Sequence, residues 1–280
     1  MNKIVVISNS RFEKGLVAFI NSYRRVNMQT PLVIIDTGLE NTYPYETIKK
    51  TFNGDGLKKA EWMTDYSPYL QLELGMIEAD KIIYMEVDML LLKNIDHLFD
   101  GVTDENAIAV MDDAAYATME GDNYIDNCGR YFAMDSELRN KYSRSKGYNG
   151  GLIGGTKEFY ANLQNKYVYY LRNYEHQYRL LAQSLLNQYF IEERIFVKDI
   201  GLEYNFSGIN EYYSKPELYA ICYNCINNKL NSIGLFFNKK QISIVHFTGK
   251  HKPFIVERES DTLNAMQDVW EFYYNNGELF

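Results

Sequence analysis

Between Lys3 and Ile35, two short β-branched runs bracket a stretch with helical spacing. Lys3–Ser8 reads as a buried strand, and Leu32–Ile35, after Pro31, reads as another. Glu13–Arg25 carries Leu16, Phe19, Ile20 and Tyr23 on one helical face. Strand, helix and strand in that order predict a βαβ unit, hence a parallel sheet covered by helices. A secretory reading of the N-terminus fails. Its apolar run is brief, and Asn9, Ser10 and Arg11 follow with no small-residue cleavage site.

The alternation continues along the chain. Thr47–Asn53 offers a short strand or turn, and Asn53-Gly54-Asp55-Gly56 a loop. A helical segment is expected over Tyr69–Glu78, then strands over Lys81–Met85 and Ala107–Met111. Gly150-Gly151 and Gly154-Gly155 flank Leu152-Ile153, so backbone should approach a neighbour closely there. Phe159–Tyr189 predicts two helices, Arg194–Val197 and Ser243–Phe247 two strands, and Asp261–Tyr274 an amphipathic helix. The polar stretch Asp122–Lys146 reads as a mobile loop, an excursion over the site or a helical insertion. With no repeat, low-complexity stretch or linker, the expectation is one α/β domain over residues 1–280. Residues 255–280 would form a helical extension.

A chain of 280 residues that is 46% apolar can bury a full core. Its net charge of -8 argues against a nucleic-acid partner and against a polybasic membrane patch. No apolar run approaches the roughly 20 residues of a membrane span. Three cysteines make no disulfide framework and point to a reducing, cytoplasmic setting. Cys222 and Cys225 have CxxC spacing without a second pair or a nearby His, so incidental cysteines are favoured over zinc. The 25 tyrosines are mostly core, though aromatic faces also stack on sugars.

The chemistry gathers where strands end. Lys81–Met85 runs into Glu86-Val87-Asp88, and Ala107–Met111 into Asp112-Asp113. Open α/β sheets carry their functional groups at the carboxyl ends of strands. If the strand stays extended, Glu86 and Asp88 share a face and Val87 takes the other. Two hard oxygen ligands so placed suit Mg²⁺ or Mn²⁺. A solvated pair closing a strand is the ordinary alternative. His246, following Ser243–Val245, could complete the set and would tilt it towards Mn²⁺. Gly249 would let a diphosphate approach the backbone, and Lys252 would offer it a charge. Singly, His246 could be a satisfied strand-end histidine and Lys252 a surface lysine.

Taken in order, these segments resemble the family 8 glycosyltransferases, retaining GT-A enzymes that include bacterial lipooligosaccharide galactosyltransferases and glycogenin. Tyr69–Gly75 is similar to the family's Tyr-Ala-Arg-Leu helix, and Asp80–Asp88 to its Asp-Lys-Val-Leu-Tyr-Leu-Asp-x-Asp strand. Leu91–Phe99 resembles the segment that follows. Tyr148–Ile153 resembles Phe-Asn-(Ala/Ser)-Gly-Val, and Gln183–Asn187 stands where Asp-Gln-Asp-x-Leu-Asn is usual. Tyr204-Asn205 follows at the family's distance, and His246–Phe254 resembles His-x-x-Gly-x-x-Lys-Pro-Trp.

The resemblance implies a GT-A, Rossmann-like domain with a mixed, mainly parallel central sheet flanked by helices. It implies hexose transfer from a UDP-sugar donor to a glycan, lipid-linked or protein acceptor. Glu86, Asp88 and His246 would bind Mn²⁺, with Mg²⁺ the alternative, while Gly249 and Lys252 contact phosphate. Ser8, Asn9 and Asp36 would hold uridine, with Gln71 and Val87 completing the donor side. Asn149 and Gln183 would face the donor sugar's anomeric carbon, and Asp112 or Asp113 its hydroxyls.

The chain also departs from the pattern. Glu86 replaces an aspartate, Gln71 the helix arginine, Phe254 the tryptophan, and Ala182 and Ser184 both acids around Gln183. Without those acids a covalent double displacement loses its nucleophile, so retention is expected by front-side attack. The alternative is a nucleotide-sugar-binding member that has lost transfer. A Mg²⁺-dependent nucleotidyl- or phosphotransferase ranks lower, because no Gly-rich phosphate loop follows the first strand. Leu163–Tyr174 could form a homodimer interface, with ordinary core as its alternative.

Overall fold

The computed structural model describes residues 1–50, 67–111, 128–207, 219–226, 229–237, 239–248, 252–254 and 261–275. Its strands are β1 (Asn2–Ser8), β2 (Leu32–Asp36), β3 (Glu46–Lys49), β4 (Lys81–Met85), β5 (Met89–Leu91) and β6 (Asn106–Met111). Then come β7 (Tyr148–Thr156), β8 (Phe196–Asp199), β9 (Tyr219–Ile226), β10 (Lys229–Phe237), β11 (Lys240–Gln241) and β12 (Ile244–His246). The helices are α1 (Glu13–Arg25), α2 (Glu137–Tyr142), α3 (Lys157–Tyr174), α4 (Ala182–Glu192) and α5 (Asp261–Asn275).

The central sheet has seven strands in the order β3-β2-β1-β4-β7-β6-β8. Only β7 runs antiparallel to its neighbours β4 and β6; the other pairs are parallel. The apolar run of β1 reflects burial on both faces. Val5 and Ile7 join the cluster beneath α3 and α4, while Ile4 and Val6 join the one beneath α1. Leu16, Phe19 and Ile20 of α1 are fully or nearly fully buried there, each contributing about 1.5–3 kcal/mol. The glycine expectation for β7 holds: a Cβ on Gly154 would lie 2.4 Å from Ile108, and one on Gly155 2.2 Å from Phe159.

Behind α1 lies a further cluster built from β10, β12 and α5. Asn21 donates to the Tyr273 carbonyl at 2.8 Å, and the Arg25 guanidinium sits over the Phe272 ring. Among the described residues no helix is long and apolar enough to cross a membrane. One face of α3 is core, with Phe159, Tyr160, Leu163, Tyr170 and Leu171 buried, while Val168 and Tyr169 are exposed.

Several expectations need correction. The helical segment expected over Tyr69–Glu78 is present as Ser67–Met76, but of 3-10 type and broken by a non-helical Glu73. Leu70, Leu72 and Leu74 are all fully buried there, a pattern one helical face cannot satisfy. Of Asp122–Lys146, residues 122–127 lie outside the described residues; in the rest Glu137–Tyr142 is helical, and Cys128, Tyr131, Phe132, Leu138 and Tyr142 enter the core, against the polar reading. β8 begins at Phe196, because Arg194 ends the preceding helix in a left-handed turn at φ 54°. The antiparallel sheet β9-β10-β11 and short β5 had no expectation. The CxxC pair lies on β9, away from any strand-to-helix junction, and Cys222 is exposed and unbonded.

Candidate active site

β4 stops at Met85, and the extended geometry does not persist through Glu86-Val87-Asp88. The chain turns there instead, with Met89 N–H donating to the Glu86 carbonyl at 3.2 Å. Glu86 and Asp88 therefore converge through a turn, not through strand alternation. The turn feeds β5, which pairs antiparallel with β12 so that His246 faces Met89. Phe247 N–H donates to the Asp88 carbonyl at 2.9 Å and locks that register.

One ligand atom from each of Glu86, Asp88 and His246 lies within 4.8 Å of the others. His246 Nε2 is 2.9 Å from Glu86 Oε2 and 3.4 Å from Asp88 Oδ1, while Nδ1 is 2.6 Å from Asn205 Oδ1. Glu86 N–H donates to the Gly151 carbonyl of β7 at 2.9 Å. A Cβ on Gly151 would lie 2.5 Å from His246 Cε1, so only glycine leaves room for the ring.

The charges depend on one another. Burial works against an ionised Asp88, yet Lys252 and His246 hold its carboxyl well below the usual range. Burial would likewise lower His246; Asp88 and Glu86 outweigh it and raise the imidazole to about 9. Lys252 pairs with Asp88 Oδ2 and is pushed up by both carboxylates against its own burial. Asp88 Oδ1 is buried and has no hydrogen bond, since the imidazole Nε2 is engaged with Glu86. A buried carboxylate oxygen with no hydrogen bond is costly. Beside a second carboxylate and an imidazole, its chemistry suits a divalent cation.

The other expected site residues lie around this group. Ser8 ends β1 directly beside Asp36 at the end of β2. Asn9 Oδ1 accepts from the backbone of Arg11 and Phe12, and Asp36 Oδ1 from Gly38 and Leu39. Those two oxygens thus shape loops at the sheet's carboxyl edge. Asn149 Oδ1 accepts from Gly151 N–H on the side of the strand where the histidine lies, and Gln183 Oε1 accepts from Gly150 N–H, one residue back along β7, with Gln183 packed where a Gly150 side chain would be. Val87 is buried, its carbonyl 3.0 Å from where a Gly15 Cβ would be. Gln71 lies in the buried turns, its Oε1 without a hydrogen bond. Asp112, Asp113 and Gly249 lie outside the described residues.

Phe254 braces the Lys252 segment. Its ring meets Phe12 edge-on at 6.1 Å and Trp270 of α5 at 6.0 Å. Ser184, at the position of a family acid, is fully buried and donates to the Tyr131 carbonyl at 2.6 Å. Asn205 was legible only as part of a motif. It reaches His246 because Phe206 bridges Val245 in parallel, a pairing no local spacing signals.

Solved glycosyltransferases share this architecture. The galactosyltransferase LgtC, in complex with donor and acceptor sugar analogs, superposes with a TM-score of 0.66 at 14% identity, covering 98% of this chain and 95% of that one. WbbM, a bifunctional glycosyltransferase, gives 0.63 at 14% identity, over 98% of this chain and 49% of its own. GlyE of Streptococcus pneumoniae TIGR4 gives 0.58 at 13%, over 98% and 63% respectively. No curated protein sequence matches. The fold is GT-A, the fold of these transferases. Residues 13–254 match the profile of Glycosyl transferase family 8, and the chain belongs to that family and is a glycosyltransferase.

Proposed function

We propose that the chain transfers a hexose from a UDP-sugar to a glycan, lipid-linked or protein acceptor, with Mn²⁺ as cofactor and retention at the anomeric carbon. The observation that carries this reading is the convergence of Glu86, Asp88 and His246, with the buried Asp88 Oδ1 making no hydrogen bond, on a family 8 transferase fold. Those three side chains would hold the cation, with Mg²⁺ as the alternative. Bound there, it would neutralise charge that builds on the UDP leaving group. We read residues 1–280 as one catalytic domain with 255–280 a helical extension, working in the cytoplasm.

Ser8, Asn9 and Asp36 border the uridine position, through the loops that Asn9 and Asp36 shape. Val87 and Gln71 would lie on the donor side. Lys252 binds the diphosphate together with Gly249. In the resting protein Lys252 is held on Asp88, so donor binding exchanges one anionic partner for another. A charged hydrogen bond of this kind contributes about 1.5–3 kcal/mol. Lys252→Ala should therefore weaken UDP about 10- to 100-fold and leave uridine nearly unchanged in calorimetric titrations.

Asn149 and Gln183 would face the donor sugar, and Asp112 or Asp113, outside the described residues, is our candidate for its hydroxyls. LgtC has been solved as an active-site glutamine-to-glutamate mutant. Gln183 is our candidate for the corresponding role here. Ala182 cannot attack, and the Ser184 hydroxyl is sequestered between the Tyr131 carbonyl and Leu180 N–H. The acceptor would then attack from the leaving-group face, its proton passing to the departing diphosphate. Intact-protein mass spectrometry during turnover should find no glycosyl adduct on any side chain.

The loss of both acids around Gln183 favours a second reading, a family member that binds nucleotide-sugar without transferring it. Incubation with a panel of UDP-sugars, Mn²⁺ and water or simple sugars as acceptors separates the two. Release of UDP from at least one donor supports transfer; its absence from all supports the binding reading.

A further inference from the structure

The His246 ring is contacted on both nitrogens, and only one faces the carboxylates. Nδ1 points the other way, to the side-chain oxygen of Asn205 at 2.6 Å. Both groups are essentially shut off from solvent, at 2% and 1% exposure. An amide oxygen can only accept, so a ring nitrogen at that distance must donate. With Nδ1 keeping its proton, Nε2 is the ring's one site for a cation, once the proton shared with the carboxylates leaves it.

The backbone holds Asn205 for this contact. Its own N–H donates to the Leu202 carbonyl at 3.0 Å, the next residue, Phe206, donates to Ile244, and His246 N–H donates to Phe206. Gly151 backs the ring on its Cε1 edge, where any side chain would strike it. The ring is therefore fixed by an acceptor on Nδ1, bare backbone on Cε1 and carboxylates on Nε2.

We propose that Asn205 is a positioning residue that fixes His246 as the Nδ1–H form, aiming Nε2 at the cation held with Glu86 and Asp88. This rests on the metal reading above, but its test does not depend on that reading alone. Removing such an outer partner typically costs about 10- to 100-fold in metal affinity.

The experiment uses ¹⁵N-histidine-labelled full chain, metal-free, with Asn205→Ala and Asn205→Asp beside wild type. Wild type should show a slowly exchanging ring proton on His246 Nδ1. It should vanish in Asn205→Ala and move downfield in Asn205→Asp, whose carboxylate is a stronger acceptor. In parallel, Mn²⁺ titration followed by electron paramagnetic resonance should show affinity falling about 10- to 100-fold in Asn205→Ala and recovering in Asn205→Asp. If Asn205→Ala does not fold, the direction of the Asn205→Asp proton shift still decides. An Nδ1 proton indifferent to both substitutions, or Mn²⁺ affinity unchanged in Asn205→Ala, overturns the proposal. Wild type that binds no Mn²⁺ yet shows the expected proton response would instead overturn the metal reading and leave the role of Asn205 in fixing the ring intact.

Discussion

Asp88→Asn should abolish measurable Mn²⁺ binding and lower turnover by on the order of a thousandfold, several kcal/mol of charge stabilisation at about 1.4 kcal/mol per decade. The side chain is 4% exposed, with Lys252 on Oδ2 and His246 near Oδ1. An asparagine keeps the shape and loses the charge. Its amide hydrogens would also face a cationic neighbour, because the ammonium and the protonated imidazole both donate. Breaking a buried pair from one side costs about 3–5 kcal/mol. The penalty should fall short of that here, because Lys252 keeps 17% of its side chain in water and can swing outward. The variant should therefore remain folded, with a lowered melting temperature and no response to Mn²⁺. Mn²⁺ binding at wild-type strength would remove Asp88 from the site.

Gly151→Ala should be nearly as damaging, for a steric reason. The added methyl would lie 2.5 Å from His246 Cε1, 2.8 Å from Met89 Cε and 2.9 Å from Asn149 Oδ1. Met89 is flexible and can yield. The imidazole cannot, because Asn205 holds one nitrogen and the carboxylates surround the other. Overpacking in a buried site costs about 1–3 kcal/mol, and here the strain falls on the ring that must aim at the cation. The expected result is a modest fall in thermal stability with a much larger loss of Mn²⁺ affinity. Equal behaviour to wild type in both would mean that the ring has more room than the structure gives it.

The sheet was legible because β1, β2, β4 and β6 are buried on both faces, and such strands read as short β-branched runs. α1 was legible because its apolar face repeats at helical spacing. The 3-10 form of the helical segment Ser67–Met76 was not legible for a related reason. Leucines at every second position, all buried, match neither a helix face nor an exposed strand, and tertiary packing decides the backbone. β5 is only three residues long and exists through its pairing with β12, so no local pattern announces it.

At the site, Glu86 and Asp88 stood out as acids closing an apolar strand, although their convergence comes from a turn. His246 was visible as a strand-end histidine, and the ordered family motifs gave it its partners. Asn205 lies 41 residues away, and its contact is set by how the segment before it docks on β12. Ser184 looked like a lost acid. The structure gives it a different task, tying Leu180 and Tyr131 together at the N-terminal end of α4.

The central claim is that Glu86, Asp88 and His246 hold a divalent cation that in turn binds a nucleotide diphosphate. Its most direct test is the thermal shift produced by UDP with and without Mn²⁺, in wild type, Asp88→Asn and His246→Ala. UDP should raise the wild-type melting temperature strongly only when Mn²⁺ is present, and neither variant should show that Mn²⁺-dependent gain. An equal UDP shift with and without Mn²⁺, or an unchanged gain in both variants, would contradict the account.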